Sequence, residues 1–328
     1  MPAITSGSST ILVTGANGYI GSWVVDYLLQ RGFRVRAVVV SQSAAEAQAS
    51  HFADHESSLE YVIIPDITLD GACDDVVRGI DGIIHTAAPA HILADDPQEI
   101  IGPAVKAATS LLQSAFKFGR DVKRVVYTSS VGAQPNPVIL GKEIVIQEDD
   151  WNDAVVTFVY KKGRLASGMT KPNFDVVRIL PATCIGPVLQ LPDTVAALSG
   201  SPILFMGLLT EDPSTNSSFL PGGNDWIDVR DAALLHVLSL LAEKAGGMRV
   251  VASNGRFIVQ DIYDTLNSLN PPLENIPKGS RSVVPSQRSL VIRRDDRRRD
   301  LFPGIELRDP KESFVELVRQ FESKGWIS

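Results

Sequence analysis

The segment Thr14-Gly15-Ala16-Asn17-Gly18-Tyr19-Ile20-Gly21 constrains this chain more than any other. It lies directly between a short apolar run, Ile11-Leu12-Val13, and a stretch from Tyr19 to Gln30 with apolar residues at helical spacing, stopped by Gly32. Each glycine has a separate physical task. Gly15 permits the tight turn out of the strand, Gly18 lets a pyrophosphate approach the backbone, and Gly21 lets the helix pack closely on the sheet. The first N–H groups of the helix have no intrahelical acceptor and attract phosphate. A glycine triplet alone is weak evidence, but here a strand precedes it and a helix follows, which is the context that a dinucleotide loop needs.

The rest of the first half repeats the pattern. Val35–Val40, Tyr61–Ile64, Gly82–Thr86, Arg124–Thr128 and Phe174–Leu180 read as further strands, with helices between them, the clearest from Gln98 to Phe118. Apolar strands without alternation, each followed by a helix, predict a parallel sheet covered on both faces. From Pro187 the pattern changes. Pro and Gly become frequent, and Leu191 to Phe219 has no clean period. Trp226–Val229 and Arg249–Ala252 read as strands; Asp231–Ala242, Val259–Leu269 and Glu312–Glu322 read as helices. A length of 328 residues admits two domains, here 1–186 for the dinucleotide unit and 187–328 for a smaller α/β substrate lobe, with the chain free to cross between them.

Composition closes off other classes. With 44% apolar and 21% charged residues the chain is ordinary globular material, not a disordered one. A net charge of −7 suits neither DNA nor RNA, whose binding depends on phosphate neutralisation. Two cysteines, Cys73 and Cys184, make no disulfide framework and fit a reducing compartment. The N-terminal residues are short, polar and unlike a signal peptide, and no apolar run approaches a membrane span, so a soluble cytoplasmic protein is expected. The run Arg293-Arg294-Asp295-Asp296-Arg297-Arg298-Arg299-Asp300 interleaves its charges and reads as a solvated helical face rather than a nucleic-acid patch.

The spacing Gly-x-x-Gly-x-x-Gly resembles the short-chain dehydrogenase/reductase superfamily, and the length and second lobe resemble its extended subfamily, the NAD-dependent epimerases and dehydratases. Pro65-Asp66-Ile67, His85-Thr86-Ala87-Ala88-Pro89, Tyr127-Thr128-Ser129-Ser130 and Trp226-Ile227-Asp228-Val229-Arg230-Asp231 agree with its motifs. Within it the chain is most similar to fungal methylglyoxal, aldehyde and ketone reductases and plant dihydroflavonol reductases, from Thr10 to about Gly325. The resemblance implies a Rossmann-type doubly wound parallel sheet with a smaller C-terminal α/β lobe. It places the cofactor against Gly15, Ala16, Asn17, Gly18, Tyr19, Ile20, Gly21, Ser41, Asp66, Ile67, Thr86, Ala87, Ala88, Thr128 and Pro181, and it implies NADP(H) and no metal. Those reductases carry an Arg where this chain has Val40 and often a Lys where it has Ala44. Both charges are missing and no acidic residue replaces them, so NAD(H) stays open. Ser41, Gln42 and Ser43 can hydrogen-bond either a hydroxyl or a phosphate.

The resemblance also implies a catalytic set. Ser130 would hydrogen-bond the substrate carbonyl. Tyr160 would pass the proton, helped by a cation four residues on, where this chain has Arg164 instead of Lys. Arg keeps the charge that lowers a tyrosine pKa but cannot relay a proton. Pro172 arrives twelve positions after Tyr160, and Gly163 and Gly168 weaken the intervening helix. In the similar enzymes that helix often forms a dimer face and here it reads as shortened by about two turns, so a monomer is favoured, with a dimer possible.

His91, Cys184 and Ile185 are candidates for the substrate pocket, and apolar residues from Leu189 to Phe219 would shape it. His85 reads as a satisfied core histidine, and Asp228, Arg230 and Asp231 as a structural ion-pair cluster at a helix start. No His or Cys spacing matches a zinc site. The leading reading is an NAD(P)H-dependent reductase of an aldehyde or ketone, on a secondary metabolite by analogy with the similar enzymes. Loss of redox chemistry is the alternative, with the same pocket serving isomerisation, dehydration, cyclisation or plain ligand binding.

Overall fold

A computed structural model describes residues 4–5, 7–88, 96, 98–135, 143–152, 172–210, 223–269, 273, 276–279 and 290–327. Ile11, Leu12 and Val13 have no measurable exposure, because the strand that carries them, β1 (Thr10–Thr14), lies in the middle of a seven-stranded sheet. The other strands are β2 (Arg34–Val39), β3 (Leu59–Ile63), β4 (Gly82–His85), β5 (Arg124–Thr128), β7 (Asp175–Pro181) and β10 (Arg249–Ala252). Their order is β3-β2-β1-β4-β5-β7-β10, and β1 pairs in parallel with β2 on one side and β4 on the other. That is the doubly wound Rossmann order, in which the direction of winding reverses beside β1. Two helices follow the pattern read from sequence, α1 (Tyr19–Gln30) and α3 (Gln98–Phe118), and between them lies a third, α2 (Gln42–His51). Leu12, Ile83 and Val125, on adjacent strands, pack one sheet face against Leu111 and Ala115 of α3, and Cys73 is sealed in the same cluster.

The chain forms two compact units. The first comprises Met1–Ser129, Asp153–Ile179 and Ala233–Val250; the second comprises Ser130–Asn152, Leu180–Ala232 and Val251–Ser328. The edge strand β10 was read from sequence with the C-terminal half, yet it completes the large sheet. The helix Val229–Leu241 before it is the crossover that returns the chain to that sheet.

The second unit holds two small sheets. In one, β9 (Asn224–Asp228) pairs in parallel with β8 (Thr183–Ile185) and antiparallel with β11 (Arg256–Phe257). In the other, β6 (Glu143–Ile146) pairs in parallel with β12 (Leu290–Arg293). Its apolar core is centred on Phe314 of the C-terminal helix Pro310–Ser323, whose ring lies 5.8 Å from each of Phe205, Trp226 and Phe257. Phe205, Met206, Leu208 and Leu209 of the helix Ser201–Thr210 belong to this core. That segment was expected to shape a pocket, and these four side chains are interior packing instead.

The arginine-rich run corrects the sequence reading in part. Arg294 and Arg299 are solvated, but Arg293 is 2% exposed and bonds Asp225, and Arg298 is enclosed with Asp295. The helix there is one short piece, Asp296–Leu301.

A candidate dinucleotide site at the switch point of the sheet

The glycine loop joins β1 to α1 and behaves as its spacing requires. Gly15 has φ +68°, and a Cβ placed on it would sit 2.8 Å from the backbone of Ala87. A Cβ on Gly21 would lie 2.1 Å from the Gly15 carbonyl oxygen and 2.7 Å from Thr86 Oγ1. These two positions therefore exclude any side chain. At Gly18 a Cβ would meet only the Gly15 oxygen, at 3.1 Å, so this position is open where a pyrophosphate would approach. Gly18 is also the N-cap of α1. It offers no side-chain cap, and the first turn holds no acidic residue, so the helix itself brings no anion to that end. The residues present fit a dinucleotide.

The loop is held by neutral hydrogen bonds. Ala16 N–H donates to Val38 O, and Gln48 Nε2 donates to Ala16 O at 2.6 Å, a buried tether between α2 and the loop. Gln48 Oε1 is buried with no partner. Thr86 Oγ1 donates to Thr14 O at 2.8 Å, which fixes the β4 exit against the loop. Asn17 is exposed, and Tyr19 and Ile20 are half-buried at the helix start. Sequence reasoning missed Gln48, since an amide between two alanines carries no periodic signal.

The same unit holds other cofactor candidates. Ser41 caps α2: its Oγ accepts from Ala44 N–H at 3.2 Å and is 3.0 Å from Ser43 Oγ. Asp66 accepts from both the N–H and the hydroxyl of Thr68, and those bonds hold its carboxyl below the usual range. Ile67 and Ala88 stand at the ends of their strand exits, half-buried and exposed respectively. Thr128 Oγ1 is 2.9 Å from Nε2 of His236, a fully buried histidine that sequence reasoning did not connect with it, since the two lie 108 residues apart. His85 is a core histidine as expected. Its Nδ1 is 2.6 Å from Thr14 Oγ1, it stacks on Tyr127, and burial lowers its pKa to about 4.

In the second unit, Ser130 is exposed and caps the short turn Val131–Ala133. Its Oγ accepts from Gly132 N–H at 3.0 Å, which leaves the hydroxyl proton for donation. Pro181 and Ile185 are buried in their strands. Cys184 is 5% exposed, its Sγ donates to Ala182 O, and burial pushes the thiol up to about 12. A thiol in that state is not a nucleophile. Asp228 receives Arg230 through its N–H, Nε and Nη2, and also Ser313 Oγ at 2.6 Å. Asp231 pairs with Arg308. This cluster is structural, as the sequence indicated. Tyr160, Arg164 and His91 lie outside the described residues. Among the described residues no group of His, Cys, Asp and Glu is placed to hold a metal ion, and no helix is long and apolar enough to cross a membrane.

Strand order and glycine geometry together define a Rossmann-type dinucleotide-binding protein. The chain belongs to the NAD dependent epimerase/dehydratase family, the extended short-chain dehydrogenases/reductases, and residues 11–149 match that family directly. It is 31% identical to the NAD-dependent epimerase/dehydratase terH of Aspergillus terreus, across 99% of this chain and 95% of that one. It is 29% identical to cinnamoyl-CoA reductase 1 of Arabidopsis thaliana, across 97% and 91%. Among solved structures, yeast methylglyoxal/isovaleraldehyde reductase complexed with NADPH superposes with a TM-score of 0.80 at 25% identity, across 97% of this chain and all of that one.

Proposed function

We propose that the chain is an NAD(P)H-dependent reductase of an aldehyde or ketone. The geometry of Gly15, Gly18 and Gly21 carries the dinucleotide part of this reading, since it leaves a backbone cradle open to a pyrophosphate, and the similarity to methylglyoxal reductases supports carbonyl reduction. Gly15 to Gly21 would hold the pyrophosphate, Thr86, Ala87 and Ala88 would border a ribose, and Asp66 with Ile67 would face the adenine. When bound, the reduced nicotinamide supplies a hydride. Ser130 donates a hydrogen bond to the substrate carbonyl and so draws electron density toward its oxygen. Tyr160 gives that oxygen its proton, and Arg164 favours the tyrosinate left behind. NADPH is the cofactor named for the methylglyoxal reductases similar to this chain, which supports the same cofactor here. An apolar secondary metabolite is the proposed substrate class, and a monomer in the cytosol the proposed working form.

The test is reductase turnover on a panel of apolar aldehydes and ketones with Tyr160→Phe as control. Removing the proton donor should lower kcat by at least about 100-fold while nucleotide affinity holds. Unchanged kcat would remove Tyr160 from the mechanism. No turnover by the unaltered chain with any carbonyl, despite tight nucleotide binding, would move the reading to the non-redox alternative.

A further inference from the structure

The segment after β2 stands where Rossmann folds read the adenosine 2′ position. An acidic residue there accepts from a 2′-hydroxyl, and an Arg pairs with a 2′-phosphate. This chain presents neither. Val39 ends β2 buried, and the next residue, Val40, is 53% exposed, an apolar side chain standing in water at that place. The hydroxyl of Ser41 is engaged by Ala44 N–H and by Ser43, as the N-cap of α2. The one charged side chain from Val38 to Ala47 is Glu46, held by Gln42 Nε2 on the first turns of α2. Arg36, the nearest arginine in sequence, is committed to Glu60 and to the carbonyl oxygens of Val76 and Arg78.

Resting on the dinucleotide reading above, we infer that this chain reads the 2′ position through neutral groups and discriminates weakly between NADPH and NADH. Magnitudes decide the point. A guanidinium on the 2′-phosphate contributes a charge-assisted hydrogen bond, equivalent to about 10–100-fold in affinity. What this segment itself offers the phosphate is the partial positive charge at the α2 N-terminus, equivalent to about 2–5-fold and opposed by Glu46. Val40 is the residue that sets this, because it occupies the exposed place at the end of β2.

The experiment is fluorescence titration of the full chain with NADPH and, separately, NADH, followed by the same pair with Val40→Arg. NADPH should bind less than about 10-fold more tightly than NADH, and Val40→Arg should shift the ratio toward NADPH by about 10-fold or more. A preference for NADPH of 10-fold or more in the unaltered chain overturns the inference and leaves the reductase reading intact. An unmoved ratio in Val40→Arg overturns the role of Val40. Binding of neither nucleotide overturns the dinucleotide reading itself, and the inference with it.

Discussion

The turn around β1 and the strand β9 solve the same problem, fixing backbone in the interior, by opposite means. At β1 the fixed groups are peptide atoms, held by Thr86, Gln48 and Val38 O through neutral hydrogen bonds. At β9, Asp225 takes both Arg256 and Arg293, and the adjoining Asp228 and Asp231 take Arg230 and Arg308. Arg293 is further bound by Gln134 Oε1 and Pro135 O. A site built from backbone leaves room for a charged ligand, since the first turn of the helix it meets carries no carboxylate. A region built from buried ion pairs satisfies its own charges, and each carboxylate becomes indispensable.

The contrast breaks first at Gly21. Gly21→Val places a branched side chain where even a Cβ is within 2.1 Å of the Gly15 oxygen. Nucleotide affinity should fall by about 100-fold or more, with far-UV circular dichroism checking that the sheet survives. Retained affinity would show that the loop does not seat the phosphates. Next in size, Asp225→Ala leaves two buried guanidinium groups facing each other without their shared carboxylate. It should cost about 3–5 kcal/mol in urea unfolding, while nucleotide affinity of the remaining folded protein changes little. A loss under about 1 kcal/mol would mean that water reaches those arginines.

The smallest effect is a pH limb. Burial lowers the His85 pKa from 6.5 to about 4. Between those values the unfolded chain takes up a proton that the folded chain refuses, so stability falls as pH falls through the window. The full contribution is up to about 3 kcal/mol. In His85→Asn the stability curve between pH 6.5 and 4 should be flatter by that amount, measured by denaturant midpoints. An unaltered limb would show that His85 is protonated inside the fold.

Much of the first unit was legible because its signals are local. α1 and α3 start and stop where the apolar spacing and the flanking glycines put them, and β5 and β10 match their apolar runs to the residue. α2 escaped because Gln42–His51 is mostly alanine, serine and glutamine, with no stripe of large apolar residues to mark a face. Ser201–Thr210 escaped for the opposite reason: a helix apolar on every side shows no period. The charged framework of the second unit was half hidden. Asp228 and Arg230 are two positions apart and could be paired by eye. Asp225 and Arg293 are separated by 68 residues and Asp231 and Arg308 by 77, and no rule of spacing joins them. At the glycine loop the motif names the backbone contacts, while the partner of Thr128 and the tether from Gln48 are properties of the folded sheet.

Arg124 carries a consequence for how the protein is made. Its guanidinium grips Asp175 and the carbonyl oxygens of Ser239, Ala242 and Glu243, 51 to 119 residues further along the chain. β10, the edge of the same sheet, is drawn from Arg249–Ala252. During synthesis the nucleotide-binding half therefore emerges well before the pieces that finish it. Loop closure over such distances precedes any reward from the contacts. Until about three quarters of the chain has left the ribosome, β7 has no neighbour on its outer side, and that open edge is where a nascent copy is most exposed to pairing with the wrong strand.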